Sequence, residues 1–114
     1  MKKVLLLLML VPLITATQCA KEATFGLNVA VHDAVSNKIL TEGVVVVATE
    51  GDYSEQLEDF GGNGAFSGAI EREGIYVLRV SKLGYQTYTS KAIKVETDGS
   101  QVIPKNIIVR LMPK

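Results

Sequence analysis

A histidine, an aspartate and a serine lie close enough together in this sequence to invite comparison with a catalytic triad. His32 is followed directly by Asp33, and Ser36 comes three residues later. The alternation of apolar and polar residues around them predicts a β-strand, and adjacent residues on a strand point to opposite faces. His32 and Asp33 are therefore not expected to pair as a base and its orienting carboxylate. We expect a surface histidine beside an aspartate that caps a turn, and we assign no catalytic residue.

The chain has a single cysteine, Cys19, and a single histidine. These are too few for an intramolecular disulfide or for a zinc site, and no cofactor is predicted. The stretch 50–59 is rich in carboxylates, the ligands that Ca²⁺ prefers. Its spacing matches no calcium-binding loop, so a solvated acidic edge is the favoured interpretation and calcium stays open. The acidic residues are Glu50, Asp52, Glu55, Glu58 and Asp59.

Glycines and tyrosines raise two further possibilities for binding. The loop GGNG, residues 61–64, lacks the Gly-Lys-Ser/Thr of a phosphate-binding loop and predicts a hairpin turn. Tyr53, Tyr85 and Tyr88 could stack on sugar rings, which makes a carbohydrate-binding module an alternative function. In a domain of this size, however, tyrosines more often belong to the core or to a corner of the fold.

The first 18 residues have the pattern of an export signal. Lys2 and Lys3 precede VLLLLMLVPLI, residues 4–14, a run that suits a signal helix and is too short for an ordinary membrane span. Residues 16–19, ATQC, resemble the box before a lipidated cysteine in bacterial lipoproteins, although Gln18 replaces the usual Gly, Ala or Ser. Ordinary signal cleavage after Ala16 is the alternative. We predict lipidation of Cys19, followed by a short linker over residues 19–24.

The charge balance gives no sign of a nucleic-acid partner. The whole chain has 12 basic and 12 acidic residues. Removing residues 1–18 takes away Lys2 and Lys3 but no acidic residue, which leaves a net charge of about −2. Proteins that bind nucleic acids usually present clustered lysines and arginines on one face. We therefore expect no nucleic acid as a partner.

The rest of the chain predicts short β-strands. Apolar and polar residues alternate with period 2 in 25–32, 74–80 and 105–112, and the run VVVVAT at 44–49 suits a strand buried on both sides. Residues 65–70 and 86–96 predict two more strands, whereas 53–60 fits either a strand or a helical turn. Six or seven strands separated by turns indicate an all-β sandwich or small barrel over residues 25–114. Antiparallel pairing is expected, because no connection contains a crossover helix.

Two stretches carry a resemblance to a known family. Residues 31–40 place Asp33, Ser36, Asn37 and Leu40 in a turn motif, and residues 74–85 follow Gly-x-Tyr-x-Leu-x-Val-x-Lys-x-Gly-Tyr. Together they resemble the carboxypeptidase regulatory-like domain over residues 25–112. That resemblance implies a small antiparallel Greek-key sandwich of the transthyretin type. It also implies that Gly84 supplies a turn with positive φ and that Tyr85 closes one end of the core.

The resemblance implies no catalyst. Regulatory-like domains lack the carboxypeptidase machinery, and a urate-pathway hydrolase of transthyretin shape needs several histidines and a Tyr-Arg-Gly-Ser C-terminus. This chain has one histidine and ends RLMPK. A secreted transthyretin-like hydrolase is therefore the weaker alternative.

The sequence predicts a non-enzymatic, exported β-sandwich module of the bacterial cell envelope with a binding or structural role. Its membrane contact would be a lipid anchor at Cys19, and a protein partner would add a strand to an exposed sheet edge. Ala20 after the cysteine favours sorting to the outer membrane in a Gram-negative cell. A periplasmic or secreted location is the alternative.

Overall fold

Eight β-strands make up the structure, a computed structural model that describes residues 23–114. No helix is present in this part of the chain, and none that could cross a membrane. The predicted signal peptide and Cys19 lie outside the described residues. The strands are β1 (Phe25–Asp33), β2 (Val45–Glu50), β3 (Tyr53–Leu57), β4 (Ala65–Ile70), β5 (Gly74–Ser81), β6 (Tyr88–Thr89), β7 (Ile93–Val95) and β8 (Lys105–Leu111).

The smaller sheet contains three strands in the order β4-β1-β8. The pairing of β1 with β4 is antiparallel, but β1 and β8 run parallel, with Val29 beside Ile107 and Val31 beside Val109. The expectation of wholly antiparallel pairing is therefore wrong for this pair. A parallel pair needs a long connection between its strands, and a crossover helix is the usual one. Here the strands of the larger sheet lie between β1 and β8 in the sequence and return the chain to the end of the sandwich at which β1 begins.

The larger sheet has five strands, in which β3, β2 and β5 are neighbours and β6 and β7 share the remaining edge of β5. Val80 pairs with Tyr88, and Tyr76 pairs with Ile93. Ile93 lies five residues after Tyr88, whereas their partners Tyr76 and Val80 are four residues apart. The β6–β7 segment therefore has one extra residue relative to β5, which is a β-bulge. The bulge splits the strand predicted at 86–96 into two, so the structure has eight strands rather than six or seven. Residues 53–57 form a strand, not a helical turn.

The core lies between the two sheets and is formed by the alternate, inward side chains of the strands. Gly26 allows the two sheets to approach closely, since a Cβ atom there would lie 2.7 Å from Cγ1 of Val95 on the opposite sheet. Each fully buried valine or leucine contributes roughly 1.5–3 kcal/mol relative to an exposed one. The fully buried valine and leucine side chains are Leu27, Val29, Val31, Val46, Leu57, Leu78, Val80, Val95, Val109 and Leu111.

One polar network stabilises the β2–β3 end of the sandwich. Tyr76 is fully buried, and its hydroxyl donates to the Arg72 carbonyl at 2.9 Å and accepts from Arg72 Nη1 at 2.8 Å. The same guanidinium lies 3.5 Å above the ring centre of Tyr53 and contacts Glu50 at 2.8 Å. No buried side-chain polar atom in residues 23–114 lacks a hydrogen-bond partner.

Replacing Tyr76 by Phe removes this hydroxyl and leaves the Arg72 carbonyl without the hydrogen-bond donor that the structure gives it. We expect the free energy of unfolding to fall by about 1–3 kcal/mol, the usual cost of unpairing a buried polar group. Urea denaturation measures the change. The matched control is Tyr88→Phe, which deletes the hydroxyl of a tyrosine that is 36% exposed and should stay within about 0.5 kcal/mol of wild type. Equal effects of the two substitutions would contradict the assignment.

Candidate interaction site

Asp33 is held at the end of β1 by three donors. Its Oδ1 accepts from the backbone amides of Val35 and Ser36 at 2.7 and 2.8 Å, and its Oδ2 accepts from the Tyr85 hydroxyl at 2.7 Å. The bond from Tyr85, followed by those from the two amides, lowers the pKa of Asp33 below its ordinary value. The carboxylate is thus a turn cap and a link to the other sheet.

His32 has a different set of contacts. Its Nδ1 lies 3.2 Å from Oδ1 of Asn37, and the Ser36 hydroxyl accepts from the backbone amide of Lys38 at 3.3 Å. Among the described residues no hydrogen bond joins His32 to Asp33 or to Ser36. The hydrogen bonds of His32, Asp33 and Ser36 therefore run to different groups.

Gly84 and Tyr85 form the turn that follows β5. Gly84 has a φ of +89°, in the region that glycine tolerates best, and Tyr85 donates its backbone amide to the Lys82 carbonyl at 3.0 Å. The half-buried ring of Tyr85 packs against the core. The hydrogen bond to Asp33 raises the pKa of the Tyr85 phenol, because ionisation would place two negative charges side by side.

Replacing Tyr85 by Phe deletes the hydroxyl and keeps the ring. Because the pKa of Asp33 is lower in the folded state than in the unfolded chain, its stabilising effect is present above about pH 4 and is lost as the pH falls through the folded-state pKa. We expect the wild type to exceed the variant in stability at pH 7, by an amount that shrinks as the pH falls from about 5 towards 2.

Urea denaturation at a series of pH values measures this difference. Asp33→Asn is the control, since it keeps an acceptor but has no charge to titrate. A wild-type advantage over Tyr85→Phe that is the same at pH 2 and pH 7 would show that the Asp33 charge is not involved.

Carboxylates of the acidic stretch, residues 50–59, form hydrogen bonds with other groups of the same chain. Glu50 accepts from the Ile75 amide and from Arg72, both at 2.8 Å, and these bonds, in that order, lower its pKa. Glu55 accepts from the Tyr53 hydroxyl at 2.7 Å, which raises the pKa of that phenol to about 12. Residues 23–114 contain no group of three His, Cys, Asp or Glu side chains that could hold a metal ion.

The outer edge of β4 is covered by groups from the segment that precedes it. Ser67 exchanges two backbone hydrogen bonds with Glu58, at 2.9 and 3.2 Å. The Ala69 amide donates to the Glu55 carboxylate at 3.0 Å, and the Ala65 amide donates to the Asn63 side chain at 3.3 Å. The two sheets are thereby joined along β3 and β4, and the outer edge of β4 is closed to a further strand.

The two remaining edges, β6–β7 and β8, border the opposite side, which we call the open side. The β6–β7 edge is irregular because of its bulge, and Lys91 and Lys94 are exposed there. Bulges and lysines are the features that keep natural edge strands from pairing. At one end of the open side the sheets meet, where the Gln86 amide donates to the Met112 carbonyl at 2.8 Å.

The β8 edge is regular, and its outer main-chain groups have no partner among the described residues. The Leu111 carbonyl accepts from Ala34, on the β1 side, whereas the next carbonyl, that of Met112, accepts from Gln86 on the other side. Main-chain groups alternate in direction along a strand. The amides and carbonyls that point away from β1 within β8 therefore belong to Asn106, Ile108 and Arg110.

A shallow depression of about 230 Å³ lies on the outer face of the smaller sheet, next to this edge. Small side chains, Ala30 and Ala65, form its floor, and Asn28, Asn106 and Ile108 surround it. Cross-strand pairing puts these five on one face of β4, β1 and β8. The lining offers amide groups and apolar surface for binding and no side chain that titrates near neutral pH.

No protein-family model matches the chain, and no curated protein has a significantly similar sequence. Its row of unpartnered main-chain groups makes the β8 edge the feature of the described chain that is best suited to binding. The sequence predicts strand addition at an exposed edge without identifying the strand, because an alternating pattern looks the same in an edge strand and in a one-side-buried central strand. The strand order was needed to find it.

Proposed function

We propose that this protein is an exported, lipid-anchored module of the bacterial cell envelope that binds a protein partner by strand addition at β8. The observation that supports this most directly is the row of unpaired main-chain donors and acceptors on Asn106, Ile108 and Arg110. A partner strand would pair with them through main-chain hydrogen bonds, as in other β-augmentation complexes. The two-sheet, all-β fold is compatible with a transthyretin-like, carboxypeptidase regulatory-like domain.

The direction of β8 fits an anchored protein. Residues 19–24 separate the proposed lipid site from the start of β1, a span of at most about 20 Å when extended. Because β8 runs parallel to β1 and pairs Lys105 with Leu27, its edge starts at the anchored end and extends outward. A partner strand would therefore lie against the module close to the membrane, with Arg110 at the outer end.

The carbohydrate-binding alternative has less support. Sugar stacking needs two or three aromatic rings on one outward face. The Tyr53 ring is instead covered by Arg72, and the Tyr85 ring packs on the core. Tyr88 alone of these three is exposed, at 36%. The hydrolase alternative has no cluster of titratable side chains in the depression beside β8 to support it.

The anchor is tested with Cys19→Ala in the bacterium that produces the protein. We expect the wild type in the membrane fraction with the mass of the chain from Cys19 plus a diacyl or triacyl group. The variant should lose that mass increment and should no longer be processed at residue 18. Gln18→Gly is the control, since it restores the usual box and should keep or improve processing. Wild-type protein found soluble, with the mass of an unmodified cleaved chain, would exclude the anchor.

Strand addition at β8 is tested with a benzophenone amino acid at position 106 in living cells. We expect a crosslinked adduct that is lost in Ile108→Pro, because proline removes an outward N–H without touching a bond to β1. The matched control is Ile108→Ala, which trims the side chain, keeps the N–H and should keep the adduct.

Thermal unfolding shows whether Ile108→Pro still folds, and a crosslinker at Gln56 on β3 reports labelling unrelated to β8. An adduct that survives in folded Ile108→Pro would rule out strand addition at β8. So would labelling at position 106 that is no stronger than at position 56.

A further inference from the structure

The two sheets differ in width on the open side. Because β6 and β7 share one edge of β5, the larger sheet is four strand positions wide, and the smaller sheet is three. Their other edges meet at the Glu58–Ser67 bridge. The unmatched position of the larger sheet therefore lies on the open side, opposite the place that a strand added to β8 would occupy.

Side chains of β6 and β7, at the unmatched position of the larger sheet, face inward, but no described strand of the smaller sheet lies opposite to cover them. Tyr88 pairs with the fully buried Val80, so the side chains of both residues point to the inner face of the sheet. Tyr88 nevertheless remains 36% exposed. Ile93 pairs with the fully buried Tyr76 and is itself only half-buried. On β8, Ile107 faces inward beside Val29 and is likewise half-buried. Apolar surface on both sheets thus borders the place that a strand added to β8 would occupy.

The charged side chains of β8 and of the β6–β7 segment are mainly basic, although two acidic residues, Glu96 and Asp98, directly follow β7. Lys105 and Arg110 lie near the two ends of β8, and Lys91 lies on the β6–β7 segment. None of these three has an acidic side chain within 4 Å among the described residues, whereas Lys94 pairs with Glu96 at 3.5 Å. The carboxylates of residues 50–59 lie on the β2–β3 side, across the molecule. The field at the β8 edge therefore attracts negative charge.

We infer that the segment bound at β8 is an acidic, extended strand of a partner protein, with apolar residues at alternate positions, that fills the fourth position of the smaller sheet. Its inward side chains pack between Ile107 and Tyr88. Its outward side chains carry carboxylates that lie beside Arg110. This inference rests on the proposed function and adds the chemical class of the partner.

The probes are three synthetic peptides of about nine residues, a common strand length. The first alternates valine with glutamate, the second replaces every glutamate by lysine, and the third is the first with every backbone amide N-methylated. Fluorescence anisotropy follows their binding to the full chain in a non-ionic detergent. We expect the glutamate peptide to bind at least about tenfold more tightly than the lysine peptide at low salt, by a ratio that falls as salt is added.

Variants assign the effect to named side chains. Arg110→Glu should reduce the preference for the glutamate peptide, and Lys38→Glu, on the turn after β1, should leave it unchanged. Tyr88→Ser should weaken both peptides equally, whereas Tyr88→Phe should weaken neither. Equal affinities for the two charged peptides, an unaltered preference in Arg110→Glu, or no binding of any peptide at about 1 mM would overturn the inference.

The outcomes separate this inference from the proposed function. If both charged peptides bind equally well and N-methylation abolishes binding, strand addition stands and the acidic partner is wrong. If the N-methylated peptide binds as well as its parent, main-chain pairing at β8 is wrong as well. A dimer that Ile108→Pro dissociates, seen by sedimentation without peptide, would assign the edge to a second copy of this chain and exclude the acidic partner.

Discussion

The parallel pairing of β1 with β8 is the constraint on which the rest of the structure depends. It makes β1 the central strand of the smaller sheet, bonded on both edges, and it leaves the last strand at the margin. The register places Val31 beside Val109 and Asp33 beside Leu111. Inward side chains of both strands therefore reach the same depth in the core, and a shift of one residue would turn those of β8 to solvent.

The two ends of the sandwich are fixed by polar contacts between distant segments. At one end the Tyr85 hydroxyl joins the turn after β5 to Asp33 at the end of β1. At the other, Arg72 bridges Glu50 and the buried Tyr76. Along the third side, Glu55 and Glu58 satisfy the amides of β4. Since these contacts occupy both ends and one side, the surface left for strand pairing is the side where β8 ends the sheet.

Much of the local structure is predictable from the sequence, because period 2 and turn residues act over a few positions. The strands at 25–33 and 74–81 follow the alternation of Leu27, Val29, Tyr76 and Leu78. The parallel partner of β8 is not predictable in this way, since pairing depends on contacts about 80 residues apart in the sequence. The bulge after Tyr88 is hidden for the same reason, as it exists only relative to β5.

The carboxylates of residues 50–59 have a structural role that their composition and spacing do not indicate. A solvated acidic edge accounts for the exposed carboxylates of 50–59. Glu55, however, accepts from the Ala69 amide, and the backbone of Glu58 pairs with Ser67. The carboxylate of Glu55 thus covers an edge of the other sheet. Such a role depends on the folding of β4 against β3, which no spacing within residues 50–59 encodes.

An open, regular strand edge is a hazard for a protein, because it can pair with another copy of itself. Lys105 and Arg110 disfavour such self-pairing at β8, because the positively charged edges of two copies repel each other when they approach. The same two residues favour a strand of opposite charge. In the proposed function, protection against self-association and selection of an acidic partner would therefore arise from one pair of side chains. The uncharged residues between them contribute the outward main-chain groups of Asn106 and Ile108 to the pairing.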